Sequence, residues 1–333
     1  EPRLSGAEQS NNSVIFGERL ILKLFRRVEA GINPDLEVSR FLTDRGFPNV
    51  APVAGALFYR WGRDQTAALA MLQAYVPNQG DGWSHAQLQL EAQGPGAVDY
   101  LPFARLLGRR TAEMHLALAS DSKDPAFAPE PTAMLDVRSA YQSVRSLAVQ
   151  VFQALRRQLP MMVGEERQQA EELIAAEEKL HRWLRALLGT RISARRIRCH
   201  GDYHLGQVLF TGGDFVIIDF EGEPARPLAE RRMKRWAMRD VAGMLRSFDY
   251  AAEAAEVGFS REWTGLVGPA FLEAYWEAAG DAVFVPPTAN ERELLVDALQ
   301  VEKALYELRY ELDNRPTWVR IPLRGLLALL EGR

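Results

Sequence analysis

Two short apolar runs around a polar turn form the clearest local pattern in the chain. Residues 208–210 and 215–218 are rich in β-forming side chains, and the Thr-Gly-Gly-Asp segment 211–214 separates them. Apolar β-formers on both sides of a Gly-Gly pair are typical of a tight hairpin. Because a hairpin brings its open ends together, we expect the polar residues just before 208 to lie close to those just after 218.

Further strand-like runs are concentrated near the beginning of the chain. They cover residues 19–25, 50–62 and 65–76, with a turn expected at 63–64. Pro77 follows the last run, and proline cannot donate a hydrogen bond to a sheet. The pattern therefore predicts a small β-rich unit that ends at about residue 76.

Helical patterns dominate the rest of the chain. Asn33 is a good N-cap and Pro34 a good first helical residue, so one early helix is expected over 34–44, ending at Gly46. His115 falls on an apolar helix face, where we expect a core histidine. Apolar residues at helical spacing predict further helices over 101–119, 136–158, 165–188, 240–255, 263–279, 290–312 and 323–330.

Composition narrows the class of protein. The 333 residues are 47% hydrophobic and 25% charged, which is enough for two lobes with a substantial core. A net charge of −4 argues against a general nucleic-acid binder, because phosphate backbones favour a strong basic excess. The single cysteine, Cys199, fits a reducing cytoplasm, and no apolar run has the length of a membrane span.

The polar residues at the open ends of the hairpin fit phosphoryl transfer. A His-Gly-Asp triplet at 200–202 is followed after four residues by Gln207, and Asp219 comes directly after the second strand. Asp202 would accept the proton of an attacking hydroxyl, while Gln207 and Asp219 would supply the oxygen ligands that Mg²⁺ prefers. The alternative is an ordinary hairpin with exposed turn acids, which the triplet alone would favour.

A lysine interrupts an apolar strand, as does the lysine that kinases use to hold the α- and β-phosphates of ATP. Lys23 interrupts the run 19–25, and a buried ammonium is costly without a partner. Glu37, near the start of the predicted helix 34–44, is our choice for that partner; simple compensation of the helix dipole is the alternative. In a kinase fold this part of the chain is the linker between the lobes, where the backbone around Gln73, Tyr75 and Val76 would meet the adenine edge.

The polar segment 6–17 is the candidate phosphate-covering loop. Its backbone N–H groups and the side chains of Gln9, Ser10, Asn11 and Ser13 would contact the nucleotide. A surface hairpin explains this segment equally well when it is taken alone.

A Tyr-Glu repeat is the candidate acceptor site. Tyr306, Glu307 and Tyr310 share neighbouring parts of one predicted helix face, and with His204 they would line the acceptor side of the cleft near Asp202. Aromatic rings and carboxylates together suit a neutral sugar better than a polycationic aminoglycoside. Core tyrosines and surface glutamates are the alternative.

Three longer phrases identify the family that the chain resembles. His-Gly-Asp is similar to the aminoglycoside phosphotransferase-type kinases, which share the protein-kinase fold. The phrases at 200–207, 218–224 and 239–250 (His-Gly-Asp-Tyr-His-Leu-Gly-Gln, Ile-Asp-Phe-Glu-Gly-Glu-Pro and Arg-Asp-Val-Ala-Gly-Met-Leu-Arg-Ser-Phe-Asp-Tyr) resemble the bacterial maltokinases. Most aminoglycoside phosphotransferase-type kinases carry Asn where this chain has Gln207.

The resemblance implies an α+β, protein-kinase-like bilobal fold with a β-rich N-lobe over 1–76 and a mainly helical C-lobe over 77–333. It implies a cytoplasmic enzyme that phosphorylates maltose at C1 with ATP and Mg²⁺, often joined to a trehalose synthase. It also implies a small N-terminal cap domain, so we expect this chain to be a fragment.

Two alternatives remain open at this point. A kinase of the same fold could act on an aminoglycoside, an amino alcohol or another sugar. A catalytically silent module attached to a trehalose synthase is the other alternative, and the complete set Lys23, Asp202, Gln207 and Asp219 argues against it.

Overall fold

An antiparallel sheet forms the first part of the molecule. The computed structural model describes residues 2–4, 11–63, 65–93, 98–224, 226–255 and 260–331. The sheet has the spatial order β1-β2-β3-β5-β4. Its strands are β1 (Pro2–Leu4), β2 (Asn12–Phe16), β3 (Leu20–Leu24), β4 (Val53–Trp61) and β5 (Gln65–Ala74). Lys23 of β3 lies between Ser13 of β2 and Met71 of β5, which places its side chain in the middle of the sheet.

The helix α1 (Pro34–Asp44) packs below this sheet, as its sequence signals predict. The side chain of Asn33 accepts the backbone N–H of Asp35 at 2.8 Å, and Gly46 beyond the helix adopts a φ of 68°. One face of α1 packs Leu36 into a small apolar cluster with Phe25 and Met71. The opposite face contributes Val38, Phe41 and Leu42 to the large core of the helical part. Thus α1 joins the two cores.

The helical part contains one short hairpin, β6 (Val208–Phe210) and β7 (Phe215–Ile217), as predicted. Its helices are α2 (Gly82–Gln93), α3 (Leu101–Leu118), α4 (Met134–Gln158), α5 (Gly164–Ala175), α6 (Glu177–Leu184), α7 (Ala186–Gly189), α8 (Leu228–Arg231), α9 (Met238–Ala254), α10 (Ser260–Ala279), α11 (Ala289–Asn314) and α12 (Arg320–Glu331). Within the described residues, none of these helices is long and apolar enough to cross a membrane.

Two features of the helical part differ from the sequence prediction. The single helix predicted over 165–188 is wrong, because the chain forms α5, α6 and α7 with breaks at Ala176 and Arg185. Helix α2 was not predicted at all. Its apolar positions do not follow a clear helical stripe, since Leu88 is exposed while Leu90 is buried.

A buried hydrogen-bond chain holds the loop between residues 199 and 204 against the helical core. His115 is fully buried, as predicted, and contacts the Tyr275 hydroxyl at 2.9 Å and Asp240 Oδ2 at 3.0 Å. Asp240 also accepts the backbone N–H groups of His200 at 2.8 Å and Gly201 at 2.9 Å. Asp240 therefore fixes the backbone that carries Asp202.

Candidate functional site

The hairpin β6–β7 brings the predicted polar residues together at its open end. Gln207 Nε2 donates to Asp219 Oδ2 at 3.2 Å. Asp219 has a φ of 67°, the only left-handed non-glycine backbone among the described residues. Such a conformation costs roughly 1–3 kcal/mol and is typically retained at functional sites. At this turn the side chain of Asp219 contacts Lys23 of β3, and the next backbone N–H, that of Phe220, contacts Asp35 of α1.

Lys23 is the centre of a buried ionic cluster. Its Nζ lies 2.7 Å from Asp35 Oδ2 and 3.4 Å from Glu221 Oε1, and it also contacts Asp219 Oδ1. Burial lowers the pKa of Lys23, but the three carboxylates outweigh this effect and raise that pKa above its ordinary value. Asn11 donates its side-chain N–H to Glu221. Lys23 is therefore held as a permanent cation.

The predicted ion pair between Lys23 and Glu37 is wrong. Asp35 takes that place on α1, and its other oxygen accepts the backbone N–H of Phe220 at 2.9 Å. Glu37 instead pairs with Arg198 at 2.8 Å and with Arg232 at 2.5 Å. Two residues correspond to about 200° of helix rotation, so Asp35 and Glu37 cannot both face the sheet.

A cavity of about 580 Å³ lies between the sheet and the hairpin. The predicted residues that line it are Ser13, Lys23, Gln73, Tyr75, Val76, Asp202, Gln207 and Asp219. The predicted loop residues Gln9 and Ser10, and position 64 of the predicted turn, lie outside the described residues.

Some backbone donors near the predicted adenine edge are already used. The N–H of Ala74 donates to Pro52 O at 2.9 Å, and the N–H of Tyr75 donates to Arg19 O at 2.9 Å. An adenine base bound here would need to hydrogen-bond to other backbone groups, such as the N–H of Val76.

The acidic groups around Lys23 have the chemistry of a divalent-cation site. Oxygens of Asp35, Asp219 and Glu221 lie within 4.8 Å of one another. Burial acts to raise the pKa of Asp219, but Lys23 outweighs it and the pKa is lowered. Burial raises the pKa of Glu221, and the neighbouring carboxylates add to the rise. These carboxylates and the Gln207 amide oxygen are the hard ligands that Mg²⁺ prefers.

A second cavity, of about 680 Å³, opens on the other side of Asp202. We call it the acceptor cavity. The structure brings His204 and, from α11, Tyr306, Glu307 and Tyr310 together at its wall. Its carboxylates are Asp81, Asp202, Glu223, Glu307 and Glu311, and its cations are Lys303 and Arg315. Trp83, Tyr250 and Trp318 add aromatic surface.

His204 is a neutral polar group at this wall. Its Nδ1 accepts the N–H of Gly206 at 3.1 Å and caps a short 3₁₀ turn. Burial is the main reason that the pKa of His204 lies below its ordinary value. His204 thus contributes hydrogen bonding rather than charge at neutral pH.

Lys303 is a site residue that the sequence analysis missed. Its Nζ lies 3.1 Å from Asp202 Oδ1 and 5.6 Å from the centre of the Tyr306 ring. Burial acts to raise the pKa of Asp202, but Lys303 and the nearby histidines lower it overall. One sequence signal for its place in the site was available. Lys303 lies four residues before Glu307 on the predicted helix, so the two residues share one helix face.

Glu307 has a structural role that the sequence did not reveal. Its Oε2 accepts from Nε and Nη2 of Arg246 at 2.9 and 2.8 Å. Arg246 is only 1% exposed and also pairs with Asp249 at 2.6 Å. Gly325 of α12 packs on its guanidinium so closely that a β-carbon there would overlap it. Arg246 therefore holds this wall of the acceptor cavity in place.

Comparisons with known proteins agree with the fold. The family model described as "Phosphotransferase enzyme family" matches residues 1–294. A glucosamine kinase of Streptacidiphilus jiangxiensis is 28% identical, over 98% of this chain and 73% of the relative. One from Mycolicibacterium smegmatis is also 28% identical, over 97% of this chain and 78% of the relative.

Solved structures of kinases share the fold of this chain. The structure of a glucosamine kinase in complex with glucosamine, ADP and inorganic phosphate has a TM-score of 0.80 at 26% identity, and the match covers 100% of this chain and 80% of that one. A choline kinase from Cryptosporidium parvum shares the fold, with a TM-score of 0.51 at 12% identity.

These findings confirm the kinase-like fold, with a small antiparallel sheet in the N-lobe and a helical C-lobe. They do not support maltose as the acceptor or an association with trehalose synthase, since these relatives are named glucosamine kinases. The family match covers most of the chain, and the chain belongs to the phosphotransferase enzyme family.

Proposed function

We propose that this phosphotransferase uses ATP and Mg²⁺ to phosphorylate a hydroxyl group of an amino sugar such as glucosamine. The observation that carries the proposal is the acceptor cavity beside Asp202, which is lined by five carboxylates, two cations and several aromatic rings. Aromatic faces suit the C–H surface of a sugar ring, and an excess of carboxylates favours a protonated amine over a neutral hydroxyl. The names of the two curated relatives support the same acceptor.

Asp202 is the proposed general base. It lines both cavities, so an acceptor hydroxyl on one side and a nucleotide on the other could both reach it. Because Lys303 keeps the pKa of Asp202 low, its carboxylate is ionised at neutral pH. A positioned base of this kind contributes on the order of 10²- to 10⁴-fold to the rate.

The nucleotide would occupy the cavity between the sheet and the hairpin. Lys23 would bind the phosphates of ATP, and Ser13 of the predicted loop lines the same cavity. Asn11 does not line it but contacts Glu221, which does. Asp219 and Gln207 would hold Mg²⁺, which when bound neutralises charge on the phosphate oxygens. To do so, Asp219 must exchange part of its contact with Lys23 for the metal.

The proposal is tested with the purified chain, ATP, Mg²⁺ and a panel of acceptors. The panel contains glucosamine, N-acetylglucosamine, glucose, maltose and kanamycin, and NMR of the product identifies the phosphorylated hydroxyl. We expect the highest kcat/KM with glucosamine and loss of nearly all turnover in Asp202→Asn. A preference for maltose would restore the maltokinase interpretation, and a preference for kanamycin would indicate an aminoglycoside kinase.

A further inference from the structure

Most carboxylates of the acceptor cavity are already neutralised by a cation of the protein. The pairs are Asp202 with Lys303 at 3.1 Å, Glu223 with Arg226 at 2.5 Å, Glu307 with Arg246 at 2.8 Å and Glu311 with Arg315 at 2.8 Å. Asp81 is the exception, because it makes no ion pair with any residue in the described ranges. The cavity therefore offers one carboxylate whose charge is not balanced locally.

Asp81 has a fixed position at the junction of the two cavities. Like Asp202, it lines both of them. Its Oδ1 accepts the N–H of Ser84 at 2.8 Å at the start of α2, so one carboxylate oxygen is used as a helix cap. Its Oδ2 has no hydrogen-bond partner among the residues that the structure describes.

The backbone around Asp81 is attached directly to the hairpin that carries the catalytic groups. Gln79 N–H donates to Phe210 O at 2.8 Å, and Phe210 N–H donates to Gly80 O at 2.9 Å. A β-carbon at Gly82 would lie 2.6 Å from Val208 Cγ2, so only glycine permits this close packing. These contacts fix the position of Asp81 relative to the β6–β7 hairpin.

We propose that Asp81 binds the ammonium group of the acceptor and thereby selects an amino sugar over a neutral one. The inference rests on the proposed function. The ammonium of Lys303 lies against Asp202 and repels a second cation there, so the amine is directed to Asp81 while a hydroxyl is left for Asp202. A hydrogen bond between an ammonium and a carboxylate is also stronger than one between neutral groups.

Asp81→Asn tests the inference, because asparagine still caps α2 but carries no charge. We expect kcat/KM for glucosamine to fall by about 10- to 100-fold, the range for losing a hydrogen bond to a charged group. The kcat/KM for glucose and the KM for ATP should stay within about threefold of wild type. Calorimetric titration with glucosamine should show the same loss as a weaker Kd.

Two further variants complete the design. Glu178→Gln is the matched control, because it removes one negative charge from the exposed surface of α6, away from the cavity. It should leave kcat/KM unchanged for both glucosamine and glucose. Asp81→Ser retains a good N-cap and replaces Asp81→Asn if that variant does not fold.

The outcomes separate the inference from the proposed function. If the wild-type chain phosphorylates glucosamine and Asp81→Asn does so equally well, Asp81 does not bind the amine. Equal losses for glucosamine and glucose would likewise overturn the inference, since they indicate a structural role. If the wild-type chain phosphorylates no amino sugar, the proposed function fails and the inference fails with it.

Discussion

Replacing Lys303 by methionine tests how this residue acts on the proposed base. The Lys303 ammonium lies 3.1 Å from Asp202 Oδ1, and both side chains are 24% exposed. Methionine has a similar length but no charge, so Asp202 would remain in a largely buried site without its cation. Burial, the largest influence, would then be opposed only by the nearby histidines, so the pKa of Asp202 rises relative to wild type.

The size of the effect follows from the geometry. Two unit charges at this distance attract by about 5 kcal/mol at an effective dielectric constant of about 20, before the cost of desolvation. Exposed ion pairs contribute up to about 1 kcal/mol, and breaking a buried pair costs about 3 kcal/mol or more. A partly buried pair falls between these limits, which corresponds to an increase of about 5- to 150-fold in the proton affinity of Asp202.

The assay is the pH dependence of kcat/KM with glucosamine as acceptor. A general base acts in its deprotonated form, so if Asp202 has the proposed role, a raised pKa removes activity from the acidic side first. Relative to wild type, Lys303→Met should keep its activity best at neutral and alkaline pH and lose progressively more as the pH falls into the acidic range, while Lys303→Arg, which keeps the charge, should follow the wild-type profile. An equal loss at every pH would refute the reasoning and indicate that Lys303 contacts the substrate instead.

Four further substitutions have expected outcomes. Asp35→Asn should raise the KM for ATP by about tenfold because it removes a charged partner of the buried lysine, whereas Glu37→Gln should lower the melting temperature and leave that KM near wild type. Asp219→Ala should raise the Mg²⁺ concentration needed for half-maximal rate. A Mg²⁺ titration that matches wild type would show that Asp219 is not a ligand of the metal. Glu307→Ala should lower the stability to urea by about 2–3 kcal/mol because Arg246 stays buried with one partner fewer, and unchanged stability would contradict that role.

Local signals were enough to predict individual elements. The ends of α1 depend on Asn33, Pro34 and Gly46, all of which act within one turn of the helix. The β6–β7 hairpin likewise depends on a turn between two adjacent runs. In contrast, the breaks at Ala176 and Arg185 carry no glycine or proline; α5, α6 and α7 all pack on α4, while α5 also packs on α12 and α7 on α11, and these long-range contacts leave no local signal.

The site residues were predictable only as far as their motifs are local. Asp202, Gln207 and Asp219 lie within one hairpin and its flanks, so their proximity could be inferred from the chain. The partner of Lys23 depends on how α1 rotates against the sheet, which the capping signals of this helix do not specify, and our choice of Glu37 was wrong. Lys303 reaches Asp202 across 101 positions of sequence. The spacing to Glu307 predicts the helix face of Lys303, but no local pattern predicts its contact with Asp202.

The close packing of Gly325 on Arg246 links sequence change at a distant position to the choice of acceptor. Alanine at 325 would force the guanidinium to move, and the Glu307 carboxylate that it holds would move with it. The acceptor KM of Gly325→Ala, compared with its KM for ATP, measures this effect directly, and equal changes in both would exclude it. During divergence, acceptor preference could therefore drift through a helix that contributes no side chain to the acceptor cavity.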